Sequence, residues 1–132
     1  MAENGLVTVQ SAFSTKETVD RLVAEVKAKG MTVFARIDHA AGAAEVGLEL
    51  RPTELLIFGN ARGGTPLIEV NQAIGIDLPL KALVWQDAGA KVWLSYNEPE
   101  WLAQRHGVTA LKAVTDRLAG ALAALAKAAT GS

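Results

Sequence analysis

The chain has 132 residues, half of them hydrophobic, with a formal net charge of −1 and no cysteine. That balance predicts one folded domain with a real core and argues against a disordered chain or a nucleic-acid binder, which needs a basic stripe. The missing cysteine excludes disulfides, thiolate metal sites and a cysteine nucleophile.

In chain order, Leu6 to Phe13 suits a first strand, with imperfect alternation of apolar and polar residues. Ser14-Thr15-Lys16-Glu17 forms a capping box, and Val19, Leu22, Val23 and Val26 behind it follow one face of a helix. Gly30 is placed to end that helix. Thr32 to Asp38 reads as a second strand, with Val33, Ala35 and Ile37 on one face and Phe34 on the other. His39 to Gly47 is rich in Ala and Gly and predicts a loop with one helical turn. Glu49 to Phe58 contains the third strand, and Pro52 limits where its ladder begins. Leu55 to Phe58 is a continuous apolar run, as in a strand covered on both faces.

Gly59 and Asn60 end that run, Gly63-Gly64 predict a turn, Thr65 suits a helix N-cap and Pro66 the first helical position. The short helix then covers Pro66 to Gln72, and Gly75 to Pro79 is a connection. Lys81 to Gln86 and Val92 to Tyr96 flank the turn signal Asp87-Ala88-Gly89-Ala90, so they predict a hairpin in which Trp85 and Trp93 can meet. Asn97 is expected to cap a short helix that Gly107 ends. Thr109 is expected to cap a long last helix carrying Leu111, Val114, Leu118, Leu122 and Leu125 on one side. The hairpin at the end of the strand series implies a largely antiparallel sheet, so an α+β fold with helices packed on one face. Apolar positions on the other face, Phe34 among them, then need a cover, and a second copy of the chain is one candidate.

The segments Ile37-Asp38-His39, Arg51 to Asn60, Gly64-Thr65-Pro66-Leu67, Asp77-Leu78-Pro79-Leu80-Lys81, Val84-Trp85 and Tyr96-Asn97 stand in this order. With them the chain resembles the domain-of-unknown-function family 302, small bacterial and archaeal proteins. The resemblance runs from about Thr15 to His106 and implies a TATA-box-binding-protein-like β-α-β(n)-α topology and a tendency to homodimers. It implies no DNA binding and brings no established catalytic residue. Members often have Pro after the Gly-Asn pair, where this chain has Ala61.

The candidate ligand-binding residues are Asp38, His39, Asn60, Arg62 and Lys81. Gly59 and Gly64 are spaced like the glycines of a phosphate-binding loop, but Thr65 and Pro66 replace its lysine and hydroxyl, which excludes a nucleotide triphosphatase of that kind. Asn60, Arg62 and the helix start remain able to hold a carboxylate or phosphate, beside the plainer reading that Asn60 serves the turn and Thr65 the cap. Asp38 can orient His39 as a general base, or both can be a polar strand end; with Glu45 and Glu49 they match no metal motif. Lys81 opens an apolar strand and can be desolvated, or can pair with Asp77. His106 suits a helix C-terminus, and Tyr96 a tether or a proton donor at a rim.

The leading expectation is a cytoplasmic homodimeric module that binds a small anionic molecule, with no cofactor, no metal and neither nucleic acid nor membrane as partner. The N-terminus lacks the features of a signal peptide, and no apolar run approaches the roughly 18 residues of a membrane span. The alternatives are a small enzyme using His39 as general base, with Asn60 or Lys81 stabilising negative charge, and a protein-interaction module using the sheet face. Strands 32–38 and 55–58 both end in polar loops. If those ends lie at one edge of the sheet, His39, Asn60 and Arg62 converge on one ligand.

Overall fold

The computed structural model of the chain describes residues 3–132. Its elements are β1 (Leu6–Ser11), α1 (Thr15–Ala28), β2 (Thr32–Asp38), α2 (His39–Glu45), β3 (Thr53–Gly59), α3 (Ala61–Val70), a 3-10 helix (Gln72–Asp77), β4 (Leu80–Gln86), β5 (Val92–Asn97), α4 (Pro99–Arg105) and α5 (Lys112–Thr130). The five strands form one sheet in the order β1-β5-β4-β3-β2, antiparallel at every pairing. The α+β expectation holds, including its antiparallel sheet.

Alternation in β3 divides the molecule. Leu56 and Phe58 point inward with Ala82, Val84 and Leu94 of the neighbouring strands, and α1 and α5 cover that face with Val19, Leu22, Val26, Leu122 and Leu125. Ser14 caps α1 by accepting the Glu17 N–H at 3.1 Å, as the capping box predicts. The inner face is not wholly apolar. Arg36 lies there between Glu54 and Asp20, donating to their carboxylates at 2.9 and 2.8 Å, which lets charged groups sit beneath the start of α1. Those bonds hold the Arg36 guanidinium above its ordinary value, Glu54 contributing most.

Several boundaries differ from the sequence reading. A bulge between Val33 and Ala35 breaks the alternation of β2, so Val33 faces inward opposite Phe58 while Ala35 and Ile37 join the outer face opposite Ile57 and Leu55. The predicted loop at 39–47 holds a seven-residue helix, because Asp38 caps it by accepting the Ala41 N–H at 2.9 Å. Helix α3 starts at Ala61, capped by Asn60 and not by Thr65; Pro66 lies inside it, where its ring deprives the Arg62 carbonyl of its helical donor. Two good caps stand within six residues, and the one directly behind the strand is used. A 3-10 helix occupies most of the expected connection. Pro99 begins α4 behind Glu98, and α5 begins at Lys112, neither with a side-chain cap from Asn97 or Thr109.

The hairpin forms as expected. The Trp85 and Trp93 ring centroids are 6.3 Å apart. Asp87 organises the turn: its carboxylate accepts the N–H groups of Gly89 and Lys91, each at 2.9 Å, and the Trp93 indole N–H at 2.8 Å. The Trp93 bond most of all, with the Lys91 amide next, holds the Asp87 carboxyl below its ordinary value.

Two outcomes follow. Phe58 is fully buried, so Phe58→Ala is expected to cost about 3–5 kcal/mol in denaturant unfolding, as for other buried aromatic truncations. Asp87 has a folded value below its unfolded one, so its contribution is fully present above the unfolded value and is lost as pH falls through the folded one. The Trp93 indole N–H resonance should therefore shift in acid only below the range where an unfolded-chain aspartate titrates.

Candidate functional site

A cavity of about 530 Å³ opens where β3 passes into α3. Gly59 leaves the strand at φ 143°, a conformation open to glycine and strained for side chains. The chain then turns onto Asn60, whose Oδ1 accepts the Gly63 N–H at 2.8 Å. With that amide satisfied, the N–H groups of Ala61 and Arg62 remain at the positive end of the helix. Helix α5 forms the opposite wall through Leu118 and Arg117, Leu78 comes from the approach to β4 and Leu80 is that strand's first residue. Phe34, turned out of the ladder by the β2 bulge, stands at the rim and is 55% exposed.

Gly63 and Gly64 are helical rather than turn residues, and what they supply is space. A Cβ at position 63 would lie 3.4 Å from both Asn60 Oδ1 and Leu118 Cδ2, and one at 64 would lie 3.4 Å from Leu78 Cδ1. Larger side chains at either position would close on the cavity.

The electrostatics of the lining are one-sided. Arg62 and Arg117 both line the cavity, and among the described residues no aspartate or glutamate does. The chain has six arginines. Arg21 lies 4.1 Å over the Phe13 ring, Arg36 binds Asp20 and Glu54, Arg51 donates to the Gln86 carbonyl, and Arg105 binds Asp77. Arg62 and Arg117 make no hydrogen bond or ion pair among the described residues.

The sequence candidates divide. Asn60 and Arg62 line the cavity. Asp38 and His39 do not. Thr32 pairs with Gly59 and Asp38 with Glu54, so six residues, roughly 20 Å at strand spacing, separate the two ends of this pair. His39 and Asn60 lie at opposite edges of the sheet, farther apart than one small ligand spans, and the expected convergence does not form. Antiparallel pairing is the cause: the end of β2 lies beside the start of β3. Asp38 serves as the α2 cap and His39 is exposed as that helix's first residue. Lys81 pairs opposite Ile57 and does not line the cavity, because its odd position in β4 faces the outer side of the sheet. It does not meet Asp77 either. That carboxylate takes Arg105 at 3.0 Å and His106 Nε2 at 2.6 Å, tying the 3-10 helix to the end of α4. Tyr96 is buried on the inner face, away from the rim.

Phe34, Arg117 and Leu118 are site residues that the sequence reading left in other roles or passed over. Leu118 belonged to the apolar stripe of the last helix, and Arg117 beside it carried no local signal. A second cleft, of about 540 Å³, lies at the start of α1 and includes Asp38. Its Arg36 and Lys16 are already bound to acidic partners. Among the described residues no group of three metal-ligating side chains stands close enough to hold an ion.

Residues 7–125 match the family model described as Domain of unknown function DUF302. The chain is 55% identical over 106 residues to proteins named Fluoride-specific ion channel FluC 1 from Brucella suis and from Brucella abortus. The match takes 80% of this chain but 42% and 39% of those proteins, so the chain spans about two fifths of the length of these curated relatives. A crystal structure titled as uncharacterized conserved protein DUF302 from Bacillus stearothermophilus is similar with a TM-score of 0.84 at 25% identity, covering 95% of this chain and 98% of that one.

Proposed function

The chain belongs to the DUF302 family, and for it we propose a binding role: a homodimeric, cytoplasmic module that holds a small anionic molecule in the cavity between α3 and α5. The carrying observation is the pair of arginines. Four of six are engaged with acids, carbonyl oxygens or an aromatic ring, and the other two line one cavity without an acid. Guanidinium groups suit carboxylates and phosphates, which they bind through two parallel hydrogen bonds. Catalysis through His39 has less support, since Asp38 is committed to the α2 cap and neither residue reaches the cavity.

The dimer reading rests on the outer face of the sheet. Leu55, Ile57, Leu83, Trp85 and Trp93 share it by register, and each is only partly buried. The Trp85 indole N–H is satisfied by Ser95 Oγ at 3.0 Å and that of Trp93 by Asp87, so both rings present apolar surface. Five strands at ~4.8 Å spacing and ~20 Å length offer roughly 500 Å² of flat surface before side-chain relief is counted. A standard interface takes about 800 Å² per partner, which is within reach of this face and its margins.

The curated relatives add a second reading. They are named fluoride-specific ion channels, and no helix among the described residues here is long and apolar enough to cross a membrane. We place any pore of those proteins outside the matched part and read that part as an appended anion-binding unit.

Two experiments test the proposal. In a thermal-shift panel, carboxylates or phosphates should stabilise the chain and amines should not; a ligand at ~100 times its Kd adds about 2.7 kcal/mol. The double variant Arg62→Ala/Arg117→Ala should abolish that shift, and an unchanged shift would refute the assignment. Sedimentation at micromolar concentration should give twice the chain mass, and Leu83→Glu should give a monomer that keeps its secondary structure.

A further inference from the structure

We infer that the ligand of this cavity is an amphipathic monoanion, a carboxylate whose unbranched apolar chain fills the cavity while its head meets Arg62 and Arg117. The inference rests on the anion-binding reading above and goes beyond it by assigning the rest of the molecule. Apart from the arginines, the large side chains of the lining are Met31, Phe34, Ile68, Leu78, Leu80 and Leu118, all apolar. A bare phosphate or acetate would use the guanidinium groups and leave those six side chains against water. A cavity of about 530 Å³ is of ordinary size for an organic ligand and far larger than an inorganic anion needs.

Phe34 adds an independent argument. It is 55% exposed on a bulged edge strand, at the rim of the cavity. An apolar chain in the cavity gives that ring a partner, and a small hydrophilic anion does not. The polar groups of the lining also stand in the wrong kind for a sugar or a nucleotide. Asn60 Oδ1 is taken by its cap bond and Thr65 is the one hydroxyl, so the lining offers mostly donors and few acceptors, and the hydroxyl protons of a polyol would lose hydrogen bonds on entry.

The test is isothermal titration of the intact chain with butyrate, hexanoate, octanoate and decanoate, and with inorganic phosphate, octanol and octylamine. Each buried methylene should tighten binding about fourfold, so octanoate, with four more of them, should exceed butyrate by roughly 250-fold. Arg62→Ala and Arg117→Ala should each weaken octanoate about tenfold or more. Phe34→Ala should weaken octanoate and leave butyrate nearly unchanged. All three side chains are on the surface, so the variants should fold, and far-ultraviolet circular dichroism checks that they do. Phosphate or butyrate binding as tightly as octanoate, with the arginine variants still impaired, would overturn the amphipathic inference and leave the anion reading standing. Octanol or octylamine matching octanoate, with the arginine variants unimpaired, would overturn both. Absence of binding by every probe would overturn the inference as well.

Discussion

The register of β3 is the constraint from which the rest follows. It is hydrogen-bonded on both sides, to β2 and to β4, so its alternation is enforced by two ladders. Leu56 and Phe58 are thereby inward and Leu55 and Ile57 outward. A slip by one residue would exchange the sets and bring Glu54's neighbours, rather than Glu54, under α1. The salt bridges of Arg36 depend on the same register, because Arg36 stands opposite Leu56 and reaches Glu54 from there. Where β3 ends also decides where the cavity is. Gly59 at φ 143° bends the chain off the sheet directly into the Asn60 cap, where α3 starts.

The two faces of the sheet are handled by different physical means. The inner face is closed by burial, with α1 and α5 supplying apolar stripes and each fully buried side chain contributing roughly 1.5–3 kcal/mol relative to exposure. The outer face combines the packed Trp85–Trp93 pair with hydrogen bonds between its side chains. Thr8 and Ser95 hydroxyls bond at 2.9 Å, and the indole N–H groups find Ser95 and Asp87. Satisfying those polar atoms within the chain removes the reason for water to stay on the surface. That pairing supports the proposed role of this face as a dimer surface. Lys81 also lies on this face, set opposite Ile57, where its long stem can lie along apolar neighbours.

Much of the fold was legible because it rests on local rules. The strand before Gly59, the Ser14 cap, the Gly30 stop and the Asp87 turn each form, but Leu55 and Ile57 stay only partly buried, so the apolar run is not closed on both faces within the chain. The bulge at Phe34 was not legible, since nothing in Thr32 to Asp38 marks one residue as extra, and the assignment of Val33 and Ala35 to one face failed with it. Competing caps were ambiguous for a similar reason. Asn60 and Thr65 have equal local claims, and the sequence does not say that the chain enters the helix directly behind Gly59. The candidate site suffered most. His39 and Asn60 look alike as polar strand ends, but antiparallel pairing sends alternate strand ends to opposite edges. Arg117 is invisible until α5 lies beside α3.

The glycines illustrate how a correct residue can carry an incorrect reason. By sequence, Gly63 and Gly64 predict a turn. In the structure they lie within a helix and their conformation needs no glycine; the positive φ belongs to Gly59. Their contribution is the volume a side chain would have taken between α3, Leu118 and Leu78. Space and charge in this cavity thus come from separate residues that alternate along a short stretch. Arg62 supplies charge, the next two positions supply room, and Ile68 further along supplies an apolar wall. A loop built to bind phosphate through its amides would need the glycines for their dihedrals and would gain nothing from an apolar wall. Two glycines beside an arginine, one facing Leu118 and the other Leu78, leave room for the apolar part of the proposed ligand.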